Sequence, residues 1–290
     1  MNDSTLRPRR SVLYMPSSNE RALEKAKSIA CDALILDLED AVAPDAKEAA
    51  RANAVAAARS GEYGHREITI RCNGLDTPWG ADDITAAASS GAAAVVIPKV
   101  SSRAYLDEVE RRLDTAGAPT GMTIWAMVET PTALLDIRSI AHHGRVDVLV
   151  MGTNDLIKEL RTGALPDRSP LIPHLATAVL GAREAGKAIL DGVYNDVRDP
   201  EGFLIEAQQG KALGFDGKTL VHPSQVEPTN MVWAPSDDEV DFSRRVIEAF
   251  EAAEAAGQGV ITVDGRMIEN LHVDNARRVL AVAEAIAALG

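Results

Sequence analysis

Two carboxylates, Glu129 and Asp155, stand at the ends of apolar runs, TIWAMVE (residues 123–129) and VDVLVMGTND (146–155). Hard oxygen donors in small number, with positions left for water and substrate, suit Mg²⁺, with Mn²⁺ as a substitute, rather than zinc or a calcium cage. A third run, EITIRCN (67–73), delivers Arg71, whose planar fork can hold a carboxylate or stabilise charge developing on a carbonyl oxygen. Further polar groups end other apolar runs: Asp37, Glu39 and Asp40, then Asn73, Lys99, Asn154, Asp191 and His222. Taken singly, each has a plainer reading: Asp155 as a helix cap, Glu129 in an internal salt bridge, Arg71 as the partner of Asp37, Glu39 or Asp40. Taken together they form a set of charged ends that one fold could bring to one place. No His/Cys ligand cluster competes, because His142 and His143 lie between runs.

The elements that must position these groups recur regularly. Eight β-rich runs, at residues 11–16, 33–39, 67–73, 94–100, 123–129, 146–152, 187–193 and 217–223, alternate with amphipathic helical patterns such as 20–29, 46–59, 103–114, 173–185 and 201–213. Strand then helix, eight times, predicts a (β/α)₈ TIM barrel, whose chemistry sits at the C-terminal strand ends. A doubly wound sheet is the rival, but SVLYMPSSNE stands where it would carry a glycine-rich phosphate turn. The alternation stops after Pro223. The barrel is therefore assigned to residues 1–230, and 231–290 form a C-terminal helical extension: a helix at 237–256, a short strand at 260–266 and a helix at 273–289. The apolar side of this extension has to be covered by its own barrel or by another subunit, so a homo-oligomer is expected.

A net charge of −13 would repel nucleic acid and anionic membranes, whose binding rests on lysine and arginine. The basic N-terminus is followed by no apolar stretch, no run reaches membrane-spanning length, and Cys31 and Cys72 read as buried thiols, all of which predicts a cytoplasmic protein.

The segments RSVLYMPSSNERALEKA, LDLEDAVAPDAK, IRCNGLDTPWG, IPKV, MVET, VMGTNDLIKEL, LDGVYND, GFDGKTLVHPSQVEPTN and VDGRMIENLH occur in that order. Over nearly the whole chain they resemble the HpcH/HpaI aldolase-like CoA-ester lyases, the citrate lyase β-subunit and malyl-CoA lyase family. The resemblance implies a TIM barrel in a trimer or hexamer, with each C-terminal segment completing a neighbour's site. It places the metal ligands on Glu129 and Asp155 and the substrate-binding arginine on Arg71. Glu39 and Asp40 match residues that support waters around the metal. Tyr14 and Lys25 match contacts to the coenzyme A portion, although Asn19 stands where some malyl-CoA lyases have an arginine.

The activity so implied is a Mg²⁺-dependent β-hydroxyacyl-CoA lyase of malyl-CoA, citramalyl-CoA or citryl type. A reversible retro-Claisen cleavage would yield an acyl-CoA and a 2-keto acid, with Arg71 stabilising the enolate oxygen. Many lyases of the family have an aspartate as acid/base where this chain has Glu269, in GRMIENLH. One extra methylene moves the carboxyl by roughly an ångström, enough to matter in catalysis. The ENLH variant also resembles a (3S)-malyl-CoA thioesterase branch, which hydrolyses the thioester to malate and coenzyme A. A third reading is the β-subunit of a citrate lyase complex acting on a carrier-protein thioester. The metal and arginine positions put the lyase first.

Overall fold

The computed structural model describes residues 6–255 and 261–289. Eight parallel strands close into a barrel in sequence order: β1 (Ser11–Pro16), β2 (Ala33–Asp37), β3 (Glu67–Arg71), β4 (Ala94–Ile97), β5 (Thr123–Val128), β6 (Val146–Met151), β7 (Ala188–Asp191) and β8 (Gly217–Leu220). The chain between them forms α1 (Glu20–Ala26), α2 (Lys47–Arg59), α3 (Gly80–Ala88), α4 (Arg103–Thr115), α5 (Pro131–Leu135), α6 (Ile137–Ala141), α7 (Thr153–Leu160), α8 (Ile172–Glu184) and α9 (Pro200–Leu213), and α10 (Val226–Trp233) follows β8. The strands are buried on both faces, so they read as continuous apolar runs rather than alternating ones. Val12, Ala33, Ile35, Val96, Trp125, Met127, Val150 and Leu190 fill the interior.

The strands are shorter than the runs that suggest them. β2, β3, β4 and β5 end at Asp37, Arg71, Ile97 and Val128, so Glu39, Asn73, Lys99 and Glu129 lie in the turns just beyond. Register does much of the positioning: Asp37 pairs with Arg71 as the last residues of β2 and β3. Val128 likewise pairs with Met151, which brings the next residues, Glu129 and Gly152, alongside one another.

A compact unit spans Arg9–Val232, and the chain from Trp233 belongs to a second. Within that second unit α11 (Asp237–Ala255) and α12 (Asn270–Ala287) pack around Val246, Val263, Ile268, Val273 and Ala276. The single strand expected at 260–266 is a hairpin instead, β9 (Ile261–Val263) with β10 (Arg266–Ile268). Asp264 (φ 50°) and Gly265 (φ 76°) both take the left-handed backbone that a two-residue turn of this kind requires.

Not every charged strand end serves the mouth. Asp191 was expected to join the others there, yet it points between the barrel and α9. It accepts from Arg168 (Nη1, 2.8 and 2.9 Å) and from Lys218 (Nζ, 3.2 Å). Burial opposes its charge, but the two cations hold its carboxyl below the usual range. Glu206 Oε1, 2.7 Å from Lys218, closes the network. Lys218 is fully buried, so Lys218→Met would strand Asp191 and Glu206 beside Arg168 alone. The expected loss is about 3–5 kcal/mol in a denaturant titration, and a loss under about 1 kcal/mol would show the network to be dispensable.

Candidate active site

The mouth is built on one buried ion pair. Arg71, 7% exposed, sends Nε to Asp37 Oδ1 and Nη2 to Asp37 Oδ2, each at 2.6 Å, a bidentate contact set by the strand register. Its Nη1 lies 2.8 Å from Glu39 Oε2 and 3.2 Å from Asp40 Oδ2. Tyr14 lies beneath the guanidinium, with the ring centroid 4.8 Å away. Of the two roles read for Arg71, the structure shows the partnering of Asp37, Glu39 and Asp40.

The turn that carries Glu39 and Asp40 has its own support. Lys47 donates to the carbonyls of Leu38 and Glu39, both at 2.7 Å, and to Asn73 Oδ1 at 2.8 Å. Asn73 donates through its backbone N and Nδ2 to Asp83 (2.9 and 2.6 Å), which Arg51 also holds at 2.6 Å. Lys47 and Asp83 carried no signal in the sequence, because both stand on helical patterns where surface charge is ordinary.

Glu129 is held from two sides. Oε1 accepts the backbone N–H of Lys99 at 2.6 Å. Gly152 lies against the other oxygen, since a Cβ there would come within 2.3 Å of Glu129 Oε2, and glycine is required. Glu129 is 2% exposed, and burial followed by the nearby charge of Asp155 outweighs the Lys99 hydrogen bond, raising its carboxyl to about 7. Burial also raises Glu39 to about 7, with Asp40, Glu129 and Asp37 adding to the effect and Arg71 opposing it. Asp155 lies in the first turn of α7 but caps nothing; the cap is Gly152, and among the described residues the Asp155 carboxylate has no hydrogen-bond partner.

Those observations test the fit of a metal. The donors at hand are carboxylate oxygens, Asp155 is uncommitted, and Asp37, Glu39, Asp40, Glu129 and Asp155 outnumber the cations Arg71, Lys47 and Lys99. A hard divalent ion such as Mg²⁺ fits that set.

Another cluster comes closer to metal-ligand spacing. Asp107, Glu110 and His143 bring their ligand atoms within 4.8 Å of one another, at α4 and the turn after α6. His143 Nδ1, however, accepts the backbone N–H of Arg145 at 3.2 Å. Its proton is therefore on Nε2, which faces Asp107 at 3.3 Å and Glu110 at 3.4 Å as a donor rather than a ligand.

The remaining candidate residues have the following surroundings. Lys25 is exposed on α1, and its side chain has no partner among the described residues, while Asn19 caps the same helix by accepting from Ala22 N at 3.1 Å. His222 is exposed and engages Ser224 Oγ at 2.8 Å. Glu269 belongs to the second unit, exposed at the start of α12, with its backbone N–H on His272 Nδ1 at 2.9 Å.

The chain was compared with known proteins. The family model described as HpcH/HpaI aldolase/citrate lyase matches residues 10–223. A (3S)-malyl-CoA thioesterase of Cereibacter sphaeroides is 50% identical over 281 residues, covering 97% of this chain and 96% of that one. The citrate lyase subunit beta of Escherichia coli K12 is 36% identical, covering 96% and 94%. In structure the chain is similar to the protein CitE of Mycobacterium tuberculosis in complex with magnesium, acetoacetate and coenzyme A, with TM-score 0.77, 28% identity and coverage of 96% and 100%.

Were Glu129 to ligate a metal, its carboxyl, raised to about 7, would make protons and metal compete there. Below about pH 7 the raised group is protonated in the folded chain, so Mg²⁺ binding weakens as pH falls. Calorimetry should find affinity about tenfold lower at pH 6 than at pH 8. An affinity independent of pH over that range would mean Glu129 is not a ligand.

Proposed function

Because the chain belongs to the HpcH/HpaI aldolase/citrate lyase family, we propose that it is a Mg²⁺-dependent enzyme hydrolysing a malyl-CoA-type thioester to the free dicarboxylate and coenzyme A. The observation that carries this reading is the greater likeness, over nearly the full chain, to the Cereibacter thioesterase than to the citrate lyase subunit. It supports hydrolysis over the lyase activity that the residue positions put first, and Glu269 in place of aspartate favours the same order.

Glu129 and Asp155 would hold the ion, which when bound would supply Lewis-acid stabilisation of developing negative charge. Glu39, whose carboxyl titrates near 7, takes a proton from the attacking water. Arg71 steadies Glu39 and turns its remaining Nη2 N–H toward the carbonyl oxygen as charge develops there. The water oxygen bonds to the carbonyl carbon, the carbon–sulfur bond breaks, and the proton passes to the sulfur of coenzyme A. Tyr14 backs Arg71 from below. Lys25 contacts the coenzyme A portion. Glu269 is supplied by the extension of a neighbouring copy, and the exposed Met267 (56%) and Leu271 (62%) beside it suit such docking.

Carbon–carbon cleavage is the second reading, favoured by the presence of Arg71, Glu129 and Asp155 together. Isotope labelling separates the two. In H₂¹⁸O, hydrolysis puts one ¹⁸O into the carboxylate freed from sulfur, with coenzyme A released in equal amount. Acetyl-CoA with matching glyoxylate and unlabelled carboxylates would overturn the proposal in favour of the lyase. Turnover of the isolated chain on a free CoA ester excludes an obligate carrier-protein partner. Glu129→Gln and Asp155→Asn should each lower turnover at least a hundredfold with the fold intact, and wild-type rates in both would remove them from the site.

A further inference from the structure

The cations at the mouth differ in what they have left to give. Arg71 is committed to Asp37, Glu39 and Asp40 except for one Nη2 N–H. Lys47 spends three donors on Leu38, Glu39 and Asn73. Lys99, by contrast, is exposed, and among the described residues its ammonium makes no hydrogen bond or ion pair.

Its backbone is unusual as well. Lys99 has φ 48°, a left-handed conformation that costs a side-chain-bearing residue roughly 1–2 kcal/mol and costs glycine almost nothing. The strain serves Glu129, because this turn aims the Lys99 N–H at Oε1. Glycine would do that equally well and without strain. A lysine at such a position implies a use for its side chain.

We propose that the Lys99 ammonium binds the carboxylate of the substrate's acyl group, so that one residue positions a metal ligand through its backbone and the substrate through its side chain. The inference rests on the reading above that the substrate is a carboxylate-bearing thioester. A carboxylate entering this mouth meets Asp155, Glu39, Glu129 and Asp40, whose repulsion a lone divalent ion offsets only in part. A flexible lysine stem carries a compact charge able to follow an acyl group that is longer or shorter by a methylene.

Lys99→Gly is the informative variant, because it keeps the N–H and relieves the strain while removing the side chain with its ammonium. Calorimetry with Mg²⁺ alone should give the wild-type affinity or a tighter one, since a nearby positive charge is removed, and thermal unfolding the same or a higher midpoint. Malate, a dicarboxylate, should then bind the Mg²⁺-loaded variant about tenfold more weakly than the loaded wild type, with Lys99→Met equally weak and Lys99→Arg restoring most of the loss. Equal malate affinity in Lys99→Gly and wild type would overturn the proposal, as would loss of Mg²⁺ affinity in Lys99→Gly. Malate that fails to bind the wild type also counts against it. This binding readout does not depend on turnover, so inactivity of the wild type on malyl-CoA would count against the proposed function separately.

Discussion

Burying the Glu129 carboxylate beside Asp155 is unfavourable by itself, and the arrangement of the mouth answers to that constraint. The carboxylates there exceed the cations, and one cation, Arg71, is spent on the second acidic group, Asp37 with Glu39 and Asp40. Among the described residues, neither Glu129 nor Asp155 has a side-chain cation within ion-pairing distance, and the charge of Asp155 acts on Glu129. Carboxylate oxygens in excess of cations are the donor set that a hard divalent ion would fit.

The fold supplies the geometry cheaply. Parallel register sets Asp37 opposite Arg71 and brings Glu129 against Gly152, so two pairs of neighbouring strands define both halves of the site. Turns beyond the strand ends do the finer work. The left-handed Lys99 turns its N–H to one oxygen of Glu129, and the bare α-carbon of Gly152 leaves space for the other. Lys47, Asn73, Asp83 and Arg51 hold the acidic turn from the outside, where polar groups buried under the loop need complete partnering.

Much of this was legible in the sequence, for physical reasons. Strands buried on both faces leave apolar runs that stand out from the amphipathic helices around them, so the barrel and its polar ends could be read together, and Arg71, Glu129, Asp155, Glu39 and Asp40 do gather at one mouth. Spacing along a strand does not tell which end residue turns inward, and Asp191 turned outward because Arg168 and Lys218 offered it buried partners. Those partners lie in a loop and in a short strand, positions with no periodic signal. Lys99 was visible as a strand-end cation, but its left-handed backbone was not, since nothing in IPKV distinguishes it from an extended turn. The hairpin around Asp264 and Gly265 carried a turn signal in the Asp-Gly pair, which the reading of a single strand passed over.

The most direct test of the account is a crystal of the protein grown with Mn²⁺ and examined for anomalous scattering. One strong peak is predicted between Glu129 and Asp155, with an oxygen of each at about 2 Å. A peak at Asp107, Glu110 and His143 instead, or none at the mouth, would contradict it.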